Sequence, residues 1–254
     1  MKIRFFGTGY GVCKTKKKIS KDYRKSGGVL IDDRILIDAP LDIFEVAEEL
    51  GITDLLSKVS AVFISHSHPA HFSAEAIARL SEKRNISVYA TRSVLSAITP
   101  SERLSLFEIT EFTKFGLGDY EIISLPTNHK TEIPEEKCLN FIISGDKTLF
   151  YALDGGFLNV EAFSALKTLK LDAVIADTAL ESESPTEKNL YHNDIHTVAR
   201  IKDIFLSSKI CHEGTKFILS HIPSPRKRAV HEELTPIAKD FGLTLAYDGY
   251  FLRI

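Results

Sequence analysis

Apolar and polar residues alternate in short runs over the first forty residues of the chain, a period typical of β-strands. We predict strands in KIRFFG, GGVLID and RILIDA, with a hairpin turn at Asp33 between the last two. In LDIFEVAEELG the apolar residues instead recur every three or four positions, which predicts an amphipathic helix. The chain therefore opens with strands followed by a helix.

This alternation continues to about residue 100 and returns over the last hundred residues, where strand and helix patterns again follow one another. VFIS and SVYAT are predicted strands, and the helix between them begins after Ser73, a typical N-cap residue. Four strands in succession are predicted in the middle of the chain: LFEITEF, YEIISLPT, CLNFIIS and TLFYALD.

Sheets inside and helices outside, stacked in four αββα layers, would bury this pattern economically. We therefore predict the α/β class, a four-layer αββα sandwich, and a single domain over residues 1–254. The chain contains no linker rich in Pro, Gly or Ser and no repeat of fixed period.

Composition narrows the function classes. A hydrophobic content of 44% suffices for a large core, and a formal net charge of −2 gives no reason to expect whole-surface attraction to nucleic acid or anionic lipid. The start, MKIRFFGTGYG, is too polar for a secretory signal, so we expect a cytoplasmic protein. The three cysteines, Cys13, Cys138 and Cys211, lie too far apart for a Cys-x-x-Cys zinc site.

One segment is locally basic. KTKKKISKDYRK, residues 14–25, holds seven Lys or Arg residues against the single Asp22. Two interpretations stay open: a solvated loop that serves solubility, or a loop over an active site that attracts phosphate. The candidate substrate-binding residues of the second interpretation are Lys14, Lys16, Lys17, Lys18 and Arg24.

Histidines recur just after predicted strands. His66, His68 and His71 lie within six residues in SHSHPAH, directly after VFIS. His129, Asp154 and His221 follow three further predicted strands. Strand ends meet at one rim of an α/β fold, so we expect these six side chains to converge. Imidazole nitrogens and carboxylates are ligands that zinc prefers. A histidine that stands alone is usually a surface or core residue, so the cluster of three is the stronger indication of a metal site.

Several motifs in this order resemble those of the metallo-β-lactamase fold hydrolases, and the resemblance runs from Met1 to Ile254: GTGYG, LIDAP, SHSHPAH, NHK, LDGG and SHI. The family motif is His-x-His-x-Asp-His. The resemblance implies the αββα fold and two metal sites. His66, His68 and His129 would hold the first ion, His71 and His221 the second, and Asp154 would bridge both. Ala70 stands where the motif has its aspartate, a further ligand of the second ion.

A second motif indicates a branch of that family. NLYHNDIHTVARI resembles the Asn-His-Asn-Asp segment of the cyclic phosphodiesterase of phosphonate breakdown and, more loosely, the Gly-His-Ser segment of tRNA 3′-processing endonucleases. In those relatives the histidine, here His192, protonates the departing oxygen. Asp194 would either cap the following helix or orient His192.

The resemblance to this branch implies a phosphodiesterase that acts on a small substrate, with a cyclic nucleotide or cyclic phosphate favoured. It also implies one or two zinc ions, with manganese as an alternative, and a homodimer. A large RNA substrate is disfavoured because the long arm by which some tRNA-processing relatives grip tRNA is missing. Tyr10, Tyr23 and Phe72 are candidates for stacking on a base.

Two rival functions remain. One is a hydrolase of the same fold that acts on a carbonyl substrate, such as a lactonase or thioesterase. The other is a non-catalytic protein that binds and sequesters a nucleotide, which Ala70 motivates directly. Because all other motif ligands remain, a deliberate replacement that traps substrate is favoured over natural decay of the site. We expect the first site to bind zinc, His71 and His221 to hold a second ion weakly or not at all, and hydrolysis to be impaired.

Overall fold

The computed structural model describes residues 1–12, 18–182, 190–223 and 230–254. It contains two seven-stranded sheets. The strands of the first sheet, in spatial order, are β14 (Phe251–Arg253), β1 (Lys2–Gly7), β2 (Gly28–Ile31), β3 (Ile35–Ile37), β4 (Ala61–Phe63), β5 (Ile86–Ala90) and β6 (Leu104–Glu108). Those of the second are β13 (Thr244–Leu245), β12 (Cys211–Ser220), β11 (Leu171–Asp177), β10 (Thr148–Ala152), β9 (Leu139–Ser144), β8 (Tyr120–Pro126) and β7 (Lys114–Leu117).

Seven helices are present in the described residues. They are α1 (Asp42–Glu49), α2 (Thr53–Leu56), α3 (Ala74–Ser81), α4 (Arg92–Ser96), α5 (Val160–Leu166), α6 (Ile195–Ser207) and α7 (Val230–Asp240). Ser73 caps α3, as predicted, by accepting a hydrogen bond from the backbone amide of Ala76. None of the helices in the described part of the chain is long and apolar enough to cross a membrane.

The two sheets pack face to face because successive residues of each strand point to opposite sides. In β1, Ile3 and Phe5 face the core between the sheets, whereas Phe6 faces the outer helices. The first sheet is covered on its outer side by α1 to α4, and the second sheet by α5 to α7. The predicted four-layer αββα arrangement is confirmed.

Parallel pairing places several strand ends on one rim. Strands β3, β4, β5 and β6 pair in parallel, as do β10, β11, β12 and β13. The carboxyl ends of β3 and β4 in one sheet, and of β10, β11 and β12 in the other, carry the polar residues described below. This is the rim where ligands of open α/β sheets bind.

Two turns illustrate the agreement with sequence and its limits. The hairpin between β2 and β3 turns through Asp32 and Asp33, both with positive φ (46° and 61°), as predicted. The segment 106–112, which was predicted as one strand, does not form a continuous strand. Strand β6 ends at Glu108, and Phe112 has a φ of 61°. Thr113 supports this turn because its Oγ1 accepts from the Thr110 amide at 2.9 Å. The turn leads the chain from the first sheet to the second.

Candidate metal centre

Seven side chains from different segments converge at the rim. His66, His68 and His71 follow β4, Asp154 lies two residues after β10, and His221 follows β12 directly. His129 lies three residues after β8, and His192 precedes α6. The convergence of the six predicted ligands is therefore observed, and all of them except His66 line one cavity.

Three imidazole nitrogens form the first ligand set. His66 Nε2 lies 3.1 Å from His68 Nδ1, and His129 Nε2 lies 3.2 Å from the same Nδ1. Zinc bonded at about 2.0–2.1 Å in a tetrahedral site separates its nitrogen ligands by about 3.4 Å, close to these distances. The three nitrogens are thus spaced to share one cation.

Neighbouring residues fix the tautomers of two histidines of this set, His66 and His68. Ser65 Oγ lies 3.1 Å from Asp38 Oδ2, to which it donates, so it accepts the Nδ1 hydrogen of His66 at 2.9 Å. Glu132 Oε2 accepts the Nε2 hydrogen of His68 at 3.1 Å. The lone pairs of His66 Nε2 and His68 Nδ1 therefore point to the shared centre. Such outer contacts orient metal-bound histidines in proteins, so this set fits a metal ion.

The second set surrounds Asp154. His71 Nε2 lies 2.6 Å from Asp154 Oδ2, and His221 Nε2 lies 3.0 Å from Oδ1. The same Oδ1 is 3.6 Å from His129 Nε2, so this carboxylate stands between the two sets, where a bridging ligand is expected. On the far side of the ring, His71 Nδ1 donates to Asp38 Oδ2 at 2.7 Å, which directs Nε2 to the site.

Ala70 lines the same cavity as His68, His71 and His221 and is nearly buried, with 5% of its surface exposed. A methyl group there offers no oxygen to a cation. The second set accordingly consists of two imidazoles and the shared carboxylate, one ligand fewer than the motif provides.

Burial and charge separate the proton affinities of these histidines. Burial lowers the pKa of His66 well below its ordinary value and that of His129 to about 4, so both are neutral and able to ligate. Burial also lowers the pKa of His71, but the carboxylates of Asp154 and Asp38 outweigh it and raise this pKa to about 10. His71 therefore holds a proton that a bound cation must displace.

His192 stands beside the ligand sets and is paired with a carboxylate. Its Nδ1 lies 2.7 Å from Asp177 Oδ2, while Asp177 Oδ1 accepts from the amide of Ala179 at 2.8 Å. Burial lowers the pKa of His192, yet the hydrogen bond to Asp177 and its charge raise it above the ordinary value overall. Because Nδ1 is hydrogen-bonded to Asp177, Nε2 is the ring nitrogen that can exchange a proton with a reacting group.

Asp194, which the sequence allowed either to cap a helix or to orient His192, caps α6. Its Oδ1 accepts from the amides of His196 and Thr197 at 2.8 and 3.0 Å. Asp177 takes the orienting position instead. Asp38 and Asp177 were missed in the sequence, although each ends an apolar strand pattern, ILID and VIAD, as Asp154 does.

The basic segment differs from the prediction. Arg24 is fully buried, and its Nη1 donates to Thr8 Oγ1 and to the carbonyl of Ala246, both at 2.6 Å. The assignment of Arg24 to substrate phosphate is therefore wrong, because its guanidinium is engaged inside the protein. Lys18 is exposed, whereas Lys14, Lys16 and Lys17 lie outside the described residues. Of the three candidate stacking residues, Tyr10 lines the cavity, and Phe72 is only 9% exposed.

The chain resembles known proteins both in its sequence profile and in its structure. A profile of the β-lactamase superfamily domain matches residues 33–240. No curated protein sequence matches the chain significantly. Among solved structures, the metallo-β-lactamase fold protein YhfI from Bacillus subtilis superimposes with a TM-score of 0.72 at 17% identity, over 99% of this chain and 98% of that one.

Two further structures carry named activities. A diphosphatase of the PhnP family has a TM-score of 0.69 at 17% identity and covers 100% of this chain and 97% of its own. The short form of human tRNase Z has a TM-score of 0.68 at 15% identity, with 100% and 99% covered. At these identities the likeness establishes the fold, and the expected metallo-β-lactamase fold is confirmed.

Proposed function

Because the chain belongs to the β-lactamase superfamily domain family, whose profile covers residues 33–240, we propose that it is a metal-dependent hydrolase of small phosphodiesters. A cyclic nucleotide or another cyclic phosphate is the favoured substrate. One observation supports the phosphodiester class above others: His192 Nδ1 is held 2.7 Å from Asp177 Oδ2 beside the convergent histidines. Hydrolysis of a phosphodiester expels an alkoxide, and this pair provides the acid that an alkoxide needs.

In the proposed reaction, water loses one proton to solvent and adds to phosphorus, and the bond from phosphorus to the leaving oxygen breaks; a proton from solvent afterwards restores His192. His192 gives its Nε2 proton to that oxygen, which departs as an alcohol, and Asp177 stabilises the imidazolium beforehand. A metal ion held by His66, His68, His129 and Asp154 would lower the pKa of water and stabilise negative charge on the phosphoryl oxygens. Zinc suits this nitrogen-rich set, and manganese is the alternative.

Ala70 lowers the expected rate. The aspartate of the motif both ligates the second ion and orients the attacking water, and a methyl group does neither. We infer that the chain with Ala70 binds its substrate and hydrolyses it slowly. Sequestration of an intact nucleotide is the second candidate function, since Ala70 removes groups needed for turnover and leaves the first ligand set complete.

The test compares the chain with Ala70 with its variant Ala70→Asp and, as an isosteric control without the charge, Ala70→Asn. Each protein is loaded with zinc, analysed for metal content, and assayed on 2′,3′- and 3′,5′-cyclic nucleotides, a lactone and a thioester. We expect Ala70→Asp to approach two zinc ions per chain and to cleave a cyclic nucleotide faster than Ala70→Asn does. Cleavage of the lactone or thioester alone would make the chain a carbonyl-substrate hydrolase.

Assembly and location stay proposals. We propose a homodimer, on the resemblance to the phosphodiesterase branch alone, and a cytoplasmic location, as expected from the sequence. Light scattering of the purified chain measures its oligomeric state. Fractionation of the source cells shows where the protein is located.

A further inference from the structure

A second cavity adjoins the metal centre and has a different chemistry. It has a volume of about 460 Å³ and is lined by Tyr10, His129, Lys130, Ala179, Leu180, Tyr191 and His192. Tyr10, His129 and His192 also line the cavity at the metal centre, so the two cavities are adjacent and share part of their walls. Pockets of about 300–1,000 Å³ hold small organic ligands, so there is room here for a group larger than a phosphate.

Two tyrosine rings give this cavity exposed aromatic surface. Tyr10 is 47% exposed, and its ring packs edge-on against His192 and His221 at centroid distances of 5.2 and 5.1 Å. Tyr191 is 38% exposed and directly precedes His192. Ala179 is buried and Leu180 half-buried, which adds an apolar wall. Flat, partly exposed rings beside an apolar wall favour a planar aromatic ligand.

A cation completes the cavity. Lys130 Nζ lies 5.9 Å from the centroid of the Tyr191 ring, within the range of a cation–π contact. Its ammonium forms no ion pair with any residue in the ranges 1–12, 18–182, 190–223 and 230–254. Lys130 also follows His129 directly, and both residues line this cavity, so a positive charge shares the cavity wall with a member of the first ligand set.

We propose that this cavity binds the nucleobase of a nucleotide substrate, with the base against Tyr191 and Tyr10 and with Lys130 attracting the phosphate toward the metal centre. This inference rests on the proposed function and extends it, because it selects nucleotides from among small phosphodiesters. Lys130 thereby replaces the buried Arg24 as the residue that supplies positive charge to the substrate.

Binding of mononucleotides separates the base from the phosphate. Isothermal titration of the zinc-loaded chain with AMP and with ribose 5-phosphate compares ligands that share a phosphate and differ in the base. We expect AMP to bind more tightly. Tyr191→Ala should weaken AMP binding about 5- to 100-fold and leave ribose 5-phosphate unchanged, whereas Tyr191→Phe should retain AMP affinity. Lys130→Ala should weaken both ligands and reduce the salt dependence of binding.

A matched pair elsewhere provides the control. Arg4 lies over the ring of Phe251 at 4.7 Å on the strands β1 and β14, outside the cavity lining, and Phe251 is 42% exposed. Phe251→Ala and Arg4→Ala should leave both affinities unchanged. Equal binding of AMP and ribose 5-phosphate, or an AMP preference that survives Tyr191→Ala, would overturn the inference.

Hydrolysis is scored separately with Ala70→Asp on the cyclic nucleotide panel. Tyr191-dependent AMP binding without cleavage of any phosphodiester would support the base-binding cavity and reject the proposed reaction. Cleavage of phosphodiesters without a Tyr191-dependent preference for the base would support the proposed reaction and reject the base-binding cavity.

Discussion

Asp38 Oδ2 lies 2.7 Å from His71 Nδ1, and both side chains are buried. The same carboxylate accepts from the Ser65 amide through Oδ1 at 2.8 Å and from the Tyr151 hydroxyl through Oδ2 at 2.7 Å. Burial, together with the charge of Asp38, raises the pKa of Tyr151 well above its ordinary value, so the phenol stays a donor. One carboxylate therefore sets the orientation of groups that serve both ligand sets.

This relationship predicts that Asp38→Asn weakens metal binding. An amide nitrogen facing His71 would favour the tautomer with hydrogen on Nε2, which removes the lone pair directed at the site. Loss of such an outer contact typically costs about 10- to 100-fold in metal affinity. Competition with a fluorescent zinc chelator, in the Ala70→Asp protein where two ions are expected, measures the change in affinity, which should be larger for the second ion than for the first.

Asp33→Asn is the matched control for that variant. Asp38 and Asp33 both have positive φ, 60° and 61°, a conformation that Asn tolerates well. Asp33 lies in the hairpin turn between β2 and β3, away from the metal centre. An equal loss of zinc affinity in both variants would show that Asp38 acts through general stability.

Asp177→Asn should alter the pH dependence of phosphodiester hydrolysis. Since His192 must be protonated to act as an acid, activity falls as the pH rises through its pKa. The hydrogen bond and charge of Asp177 raise that pKa, so their loss should move the alkaline limb of the profile to lower pH. The measurement is kcat against pH for Ala70→Asp with and without Asp177→Asn, on a substrate with an alkyl leaving group.

Two controls accompany this profile. A p-nitrophenyl leaving group needs little protonation, so its hydrolysis should depend much less on Asp177. Asp172→Asn changes a carboxylate 3.6 Å from His212 Nε2, outside the metal centre, and should not move the limb. An alkaline limb that stays in place in Asp177→Asn would remove His192 from the acid role.

The sequence predicted the layers and the convergence of the six candidate ligands because both depend on local pattern. Alternation with a period of two fixes which residues of β1 and β2 face the core, and strand ends in parallel sheets meet at one rim. Asp38 and Asp177 obey the same rule. They could have been found by treating every acidic residue at the end of an apolar strand as Asp154 was treated.

Arg24 shows what the local pattern could not supply. In the sequence it belongs to a basic run typical of a solvated loop, yet its partners Thr8, Ala246 and His231 come from distant parts of the chain. A buried charge is stable only when such partners satisfy it, and their positions follow from the tertiary fold. The cavity residues Lys130 and Tyr191 likewise come together only in the folded chain.

The contact between Arg24 and His231 predicts an acid-sensitive contribution to stability. A guanidinium only donates hydrogen bonds, so His231 Nδ1, 2.9 Å from Arg24 Nη2, must accept and the ring must be neutral. Burial and the charge of Arg24 lower the pKa of His231 to about 4. Between about pH 6.5 and 4 the unfolded chain therefore binds a proton that the folded chain refuses, and His231 makes the folded state less stable as the pH falls.

The variant His231→Gln isolates this effect, because glutamine keeps an acceptor for Arg24 and does not titrate. Its free energy of unfolding in urea, measured without metal at pH 4.5 to 7, should decline less toward acid than that of the chain with His231. Burial raises the pKa of Asp248 to about 6, which favours the folded state as the pH falls, but this contribution is common to both proteins and cancels in the difference. His212→Gln, at an exposed histidine, should keep the natural slope. If His231→Gln and His212→Gln gave the same slope, the Arg24–His231 contact would not govern stability in this pH range.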